Sequence, residues 1–127
     1  MRRDGSAFDE DALRRAGVDV VDRLRARDFA AIAMWYGYLC AFERPPPRAI
    51  EADFDAALAE LGATAEQLGD ATFDLESFAP NDVGLRAALG CSWPVADDAG
   101  VLVDLVVFEA DGACRICLED ITAHGVD

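Results

Sequence analysis

The chain has 127 residues, of which 53% are hydrophobic, and a formal net charge of −14; it is long and apolar enough to fold as one domain with its own core, which excludes disorder. The charge is uneven: residues 1–48 carry nine Arg against eight Asp and Glu, whereas residues 49–127 carry two Arg (Arg86 and Arg115) against seventeen acids, and there is no Lys. A surface this negative repels nucleic acid and anionic membrane and attracts cations or basic proteins.

In chain order, Ser6-Ala7-Phe8-Asp9 has the form of a helix-capping box. Phe8, Ala12, Ala16, Val20 and Leu24 follow at spacing four, which predicts a helix over about residues 7–26, weakened or split at Gly17. Asp28 is placed to cap a second helix with Phe29, Ile32, Ala33, Tyr36 and Cys40 on its inner face. Met34, Trp35, Tyr38 and Leu39 make the other side apolar too, the pattern of a helix covered on two sides or lying in an interface. Pro45-Pro46-Pro47 should stop this helix and form a stiff extended link. Ile50, Phe54, Ala57, Leu58 and Leu61 predict a third helix that ends at Gly62 and turns Glu51, Asp53, Asp55 and Glu60 outward. Thr64-Ala65-Glu66-Gln67 is a second capping box, enough for one extra turn.

From Thr72 the period changes to two. Phe73 and Leu75 alternate with Asp74 and Glu76, a half-exposed strand. Apolar residues then hold every odd position from Val83 to Val95, which predicts a long strand bent at Gly90; a short helix over Asp82–Leu89 is the competing reading. Asp97-Asp98-Ala99-Gly100 reads as a turn, and Val101–Glu109 and Cys114–Ile121 read as strands of a hairpin closed at Asp111-Gly112. The expectation is a single α+β domain over residues 1–127. Its helices, about 7–68, pack on one face of a four-stranded antiparallel meander sheet, about 71–122.

A two-residue loop at Asp111-Gly112 pairs Glu109 with Cys114, Val107 with Ile116, Leu105 with Leu118, and Asp104 with Glu119. Val103, Leu105, Val107, Ile116 and Leu118 then face the helices. Leu102, Asp104, Val106, Phe108, Arg115, Cys117, Glu119 and Ile121 lie on the other face. Asp104 and Glu119 would stand directly opposite each other, which is unfavourable unless a cation sits between them. They read either as a seat for a partner's Arg or Lys, or as a proton-sharing pair, or as ordinary carboxylates in water or paired with Arg115 or Arg86.

Cys114-Arg115-Ile116-Cys117 has the spacing of a zinc half-site, but inside a strand its two thiols face opposite sides, so no metal is expected. His124, the single His, falls in a tail after the last strand and offers no fixed general base. No serine nucleophile elbow, phosphate loop or basic aromatic stripe is present, and no cofactor is expected. Trp35, Tyr36, Tyr38 and Trp93 are the candidate lining of a small-molecule cavity, with core and interface packing as the plainer reading. No apolar run spans a membrane, and Met-Arg-Arg-Asp-Gly-Ser opens the chain without a signal peptide, so a cytoplasmic protein with free thiols at Cys40, Cys91, Cys114 and Cys117 is expected.

Leu24, Asp28, Phe29 and Ala31 in the first half, and Asp104, Leu105, Glu119, Asp120 and Ile121 in the second, resemble the opening and closing motifs of a group of short bacterial domains. Trp93 and Val95 match that group's Trp-x-Val strand, and the order of elements is similar to the cystatin-like and nuclear-transport-factor-like cone folds. The chain differs from the group in a longer, more aromatic region over Met34–Phe42. The resemblance carries over no catalytic residue. It implies an immunity-type protein that neutralises a toxin. The functional expectation is a non-catalytic inhibitor docking on a basic partner protein such as a secreted toxin. Asp104 and Glu119 would be central, with Glu51, Asp53, Asp55, Asp74 and Glu76 as the surrounding field. The rival is a cone-fold isomerase or cyclase using the aromatic cavity. A homodimer through the sheet face or the Trp35–Phe42 helix is the third expectation.

Overall fold

The structure is a computed structural model, and it describes residues 9–79 and 81–125. Helix α1 spans Glu10–Arg25, α2 Phe29–Tyr36 and α3 Pro46–Leu61. Strands β1 (Thr72–Ser77), β2 (Leu85–Ala96), β3 (Ala99–Ala110) and β4 (Ala113–His124) follow, so this is an α+β fold with the helices first. The sheet is a four-stranded antiparallel meander in the order β1-β2-β3-β4. Among the described residues no helix is long and apolar enough to cross a membrane.

Asp9, whose carboxylate accepts the Asp11 N–H at 2.9 Å, caps α1; the predicted cap at Ser6 lies outside the described residues. Gly17 does not split the helix. It lets α1 lie tightly against the sheet: a Cβ there would come within 2.7 Å of Leu89 Cδ2 and 3.0 Å of Phe73 Cε1. Asp28 caps α2 as expected, accepting from Ala31 N–H. That helix, however, ends at Tyr36 rather than at the prolines. Gly37, at φ 66°, takes a backbone conformation that side chains resist, and the chain turns away there. A short 3-10 turn, Leu39–Ala41, replaces the expected last turns. The proline run is not an extended link either. Pro46 and Pro47 are the first residues of α3, where a missing N–H costs no helix bond. Gly62 ends α3, and Thr64 with Gln67 forms the second capping box.

One core joins the layers. Leu13, Val20 and Leu24 of α1, Ile32 of α2, and Ile50, Phe54 and Leu58 of α3 pack on Leu89, Cys91, Trp93, Val101, Val103, Leu105, Val107, Leu118 and Ile121. Trp93 is fully buried, stacked on Phe54 at 5.8 Å and 14°, with Arg25 over its ring and its indole N–H on the Gly69 carbonyl at 2.8 Å. The Asp111-Gly112 loop closes the β3–β4 hairpin as expected. The pairing of β2 runs through Gly90 without a register shift. Extra residues instead sit at Arg86 and Val95, near its two ends, and β3 starts at Ala99, so the turn is Asp97-Asp98. His124 belongs to β4, opposite Gly100, rather than to a tail.

Candidate acidic sheet face

The register of the hairpin decides which carboxylates meet. Glu109–Cys114, Val107–Ile116 and Leu105–Leu118 pair as predicted. The expected Asp104–Glu119 pair does not form, because Glu119 is an extra, bulged residue in β4, and Asp104 stands opposite Asp120. The bulge shifts the alternation by one, so Ile121 joins the core instead of the outer face.

Residues directly opposite one another share a face of the sheet. The face away from the helices therefore carries one row of Asp74, Gly90, Asp104 and Asp120 across all four strands. The neighbouring row is Glu76, Ala88, Val106 and Cys117. Gly90 leaves a gap in the first row, and Asp104 leans into it: its Oδ1 lies 3.7 Å from where a Gly90 Cβ would be. Asp104 is half-buried, and its carboxyl is pushed above the ordinary Asp value, first by burial, then by the charges of Glu119 and Asp120. The Cys91 thiol beneath is pushed up to about 12, by burial first and the Asp104 charge second.

Among the described residues no Arg reaches ion-pair distance of Asp74, Glu76, Asp104, Glu119 or Asp120. Three acids of α3 are the opposite case. Glu51 and Asp55 both bind Arg27, at 3.2 and 3.1 Å. Asp53 takes both arms of Arg44, at 2.9 and 3.1 Å, and the Tyr38 hydroxyl donates to it at 2.6 Å. The Arg44 guanidinium, then the Tyr38 hydroxyl, hold the Asp53 carboxyl below its usual range against the opposing effect of burial. Three of the seven predicted partner-binding acids are thus neutralised within the molecule. Asp120, which stands opposite Asp104, is not among the predicted partner-binding acids. Its signal was the Glu-Asp pair itself: only a bulge could bring the second acid opposite Asp104.

At the β4 edge the Asp120 carboxylate accepts the Ile121 N–H at 2.9 Å. The Cys40 thiol sits against the same group and is pushed upward, by burial first and then by Asp120 and Glu119. The predicted aromatic cavity does not assemble as one site. Trp93 is in the core, Tyr38 is buried with its hydroxyl on Asp53, and the Tyr36 hydroxyl donates to Asp19 at 2.7 Å. Trp35 is exposed. Trp35, Tyr36 and Tyr38 share a depression that does not include Trp93. Cys114 is exposed and Cys117 buried, on opposite faces. Among the described residues no group of three or more His, Cys, Asp or Glu is placed to hold a metal.

The chain matches no protein-family model, no curated protein and no solved structure.

Proposed function

We propose that this chain is a binding domain, not a catalyst, and that its acidic outer sheet face docks on a basic protein. The observation that carries this reading is the row of Asp74, Asp104 and Asp120, flanked by Glu119, with no Arg in reach among the described residues. Like charges facing each other across strands are unfavourable, and a guanidinium or ammonium from a partner would relieve them. Glu51, Asp53 and Asp55 of α3, by contrast, already have cations. Asp104 carries the raised carboxyl of this face, yet it stands in the outer-face row opposite Asp120 and does not line the depression of Trp35, Tyr36 and Tyr38, which supports a docking surface over a cone-fold isomerase or cyclase.

A line of fixed negative charge resembles a phosphate backbone to a cleft built to hold one. That supports an immunity- or antitoxin-type inhibitor whose partner is a toxin with a nucleic-acid-binding site. Such association is fast and strongly salt-dependent. The test is capture of partners from lysate by the immobilised chain in low and high salt, beside the Asp104→Asn/Asp120→Asn double variant. The expected result is a basic protein retained at low salt, released at high salt and lost by the variant. Equal retention by the variant would refute this face as the docking site.

A further inference from the structure

After Gly37 the chain crosses the β4 edge, and the 3-10 turn brings Leu39 beside the outer sheet face. Met34, Trp35 and Leu39 line a depression of about 280 Å³ with Arg115 and Cys117. Leu39, Arg115 and Cys117 also line an adjoining hollow of about 620 Å³ with Phe108, Ala110 and Ala113. The shared residues make these one groove along the hairpin. Its rim is unusually apolar for a surface: Met34 is 78% exposed, Trp35 67% and Leu39 47%. Phe42, 77% exposed, is held out by a left-handed backbone at φ 51°, followed by Glu43 at φ 72°; both are strained for residues with side chains. Aromatic and Met side chains are the types enriched at the centres of protein interfaces.

The groove and the acidic row are one surface. Cys117 lies in the row next to Asp104 and Asp120, about 7 Å along the strands. We propose that the groove forms the apolar half of the same docking face and takes an apolar side chain of the basic partner, flanked there by Arg or Lys. This rests on the function proposed above. Charge complementarity selects that occupant: a second copy laid on this face would bring two uncompensated acidic rows together. Arg115 has no carboxylate partner among the described residues, and it puts one positive point where the two hollows meet. The acidic row at one end and the apolar groove with Arg115 at the other give the face a direction, so that a partner reads it one way round.

The test uses two synthetic probes, oligolysine and a Leu–Lys peptide of equal net charge, titrated calorimetrically into the full chain at low salt. The Leu–Lys peptide is expected to bind about tenfold more tightly. Trp35→Ala and Leu39→Ala, both at the surface, should remove that advantage and leave oligolysine within about twofold. Asp104→Asn/Asp120→Asn should weaken both peptides. Equal affinity of the two peptides, or an advantage that survives both groove variants, overturns the groove and spares the acidic face. Failure of both peptides to bind, or indifference to the Asp variants, overturns the acidic face itself. A doubled mass in sedimentation that Trp35→Ala restores to monomer also overturns the proposal, since a second copy then covers the groove.

Discussion

Asp104 is the residue on which the outer face turns. It stands opposite Asp120 on one side and over Gly90 on the other, so it gains negative neighbours and loses water at once. Because its carboxyl holds a proton more tightly in the folded chain than in the unfolded one, its charge opposes folding at neutral pH, and that penalty disappears as pH falls below the unfolded value of 3.8. Asp104→Asn should therefore stabilise the protein at pH 7 by up to about 1 kcal/mol, the scale of one unfavourable cross-strand pair. The gain should vanish near pH 3.5. Urea unfolding at both pH values measures it, and a variant less stable at pH 7 would contradict this account. The face that Asp104 occupies was legible in the alternation with Val103 and Leu105. Its neighbour was not read, because the bulge shows only as the step from two to three between the inward residues Leu118 and Ile121, and uninterrupted alternation pairs Glu119 with Asp104 instead.

Among the elements, the segment between α2 and α3 departs most from what local pattern predicts. Apolar residues continue from Phe29 to Phe42, as a longer helix would require, and a glycine within a helix costs only about 1 kcal/mol. Tertiary bonds outweigh that preference. Tyr38 and Arg44 both anchor on Asp53 of α3, and Arg44 also bonds the carbonyls of Cys40 and Ala41 at 2.7 Å. Asp53→Ala should cost about 1–2 kcal/mol, since it leaves the buried Tyr38 hydroxyl without its acceptor. It should also speed proteolysis between Gly37 and Arg44. The depressed Asp53 carboxyl gives the bond its pH dependence: its stabilisation is full above the unfolded Asp value and is lost as pH falls through the lower folded one. An unchanged urea midpoint and cleavage rate would mean that the segment is held by packing alone.

Over the whole molecule, the ion-paired Arg residues described in the first 48 positions serve their own neighbourhood and α3. Arg23 pairs with Asp19 and Asp28, Arg27 with Glu51 and Asp55, and Arg44 with Asp53. The sheet receives little of this compensation. Arg86 binds Glu109, and among the described residues Asp74, Glu76, Asp104, Glu119 and Asp120 have no Arg within ion-pair distance. Repulsion should then dominate the net electrostatics, so raising NaCl from about 0.01 to 0.3 M should raise Tm by screening it. A fall in Tm would show that the Arg pairs contribute more than the repulsion removes.

The sequence by itself determined the α+β class, the order of the elements, the inner faces of α1 and α3, the hairpin at Asp111-Gly112 and the excess of acid in the later part. Periodicity, caps and turn residues are local properties, carried within a few positions of one another. Only the tertiary structure decided which acids remain available. Arg27 meets Asp55 across 28 positions of chain and Arg44 meets Asp53 across nine, while a one-residue bulge exchanges Glu119 for Asp120 opposite Asp104. Those pairings depend on how helices dock on the sheet and how strands slip past one another, and that packing is settled by the whole core at once.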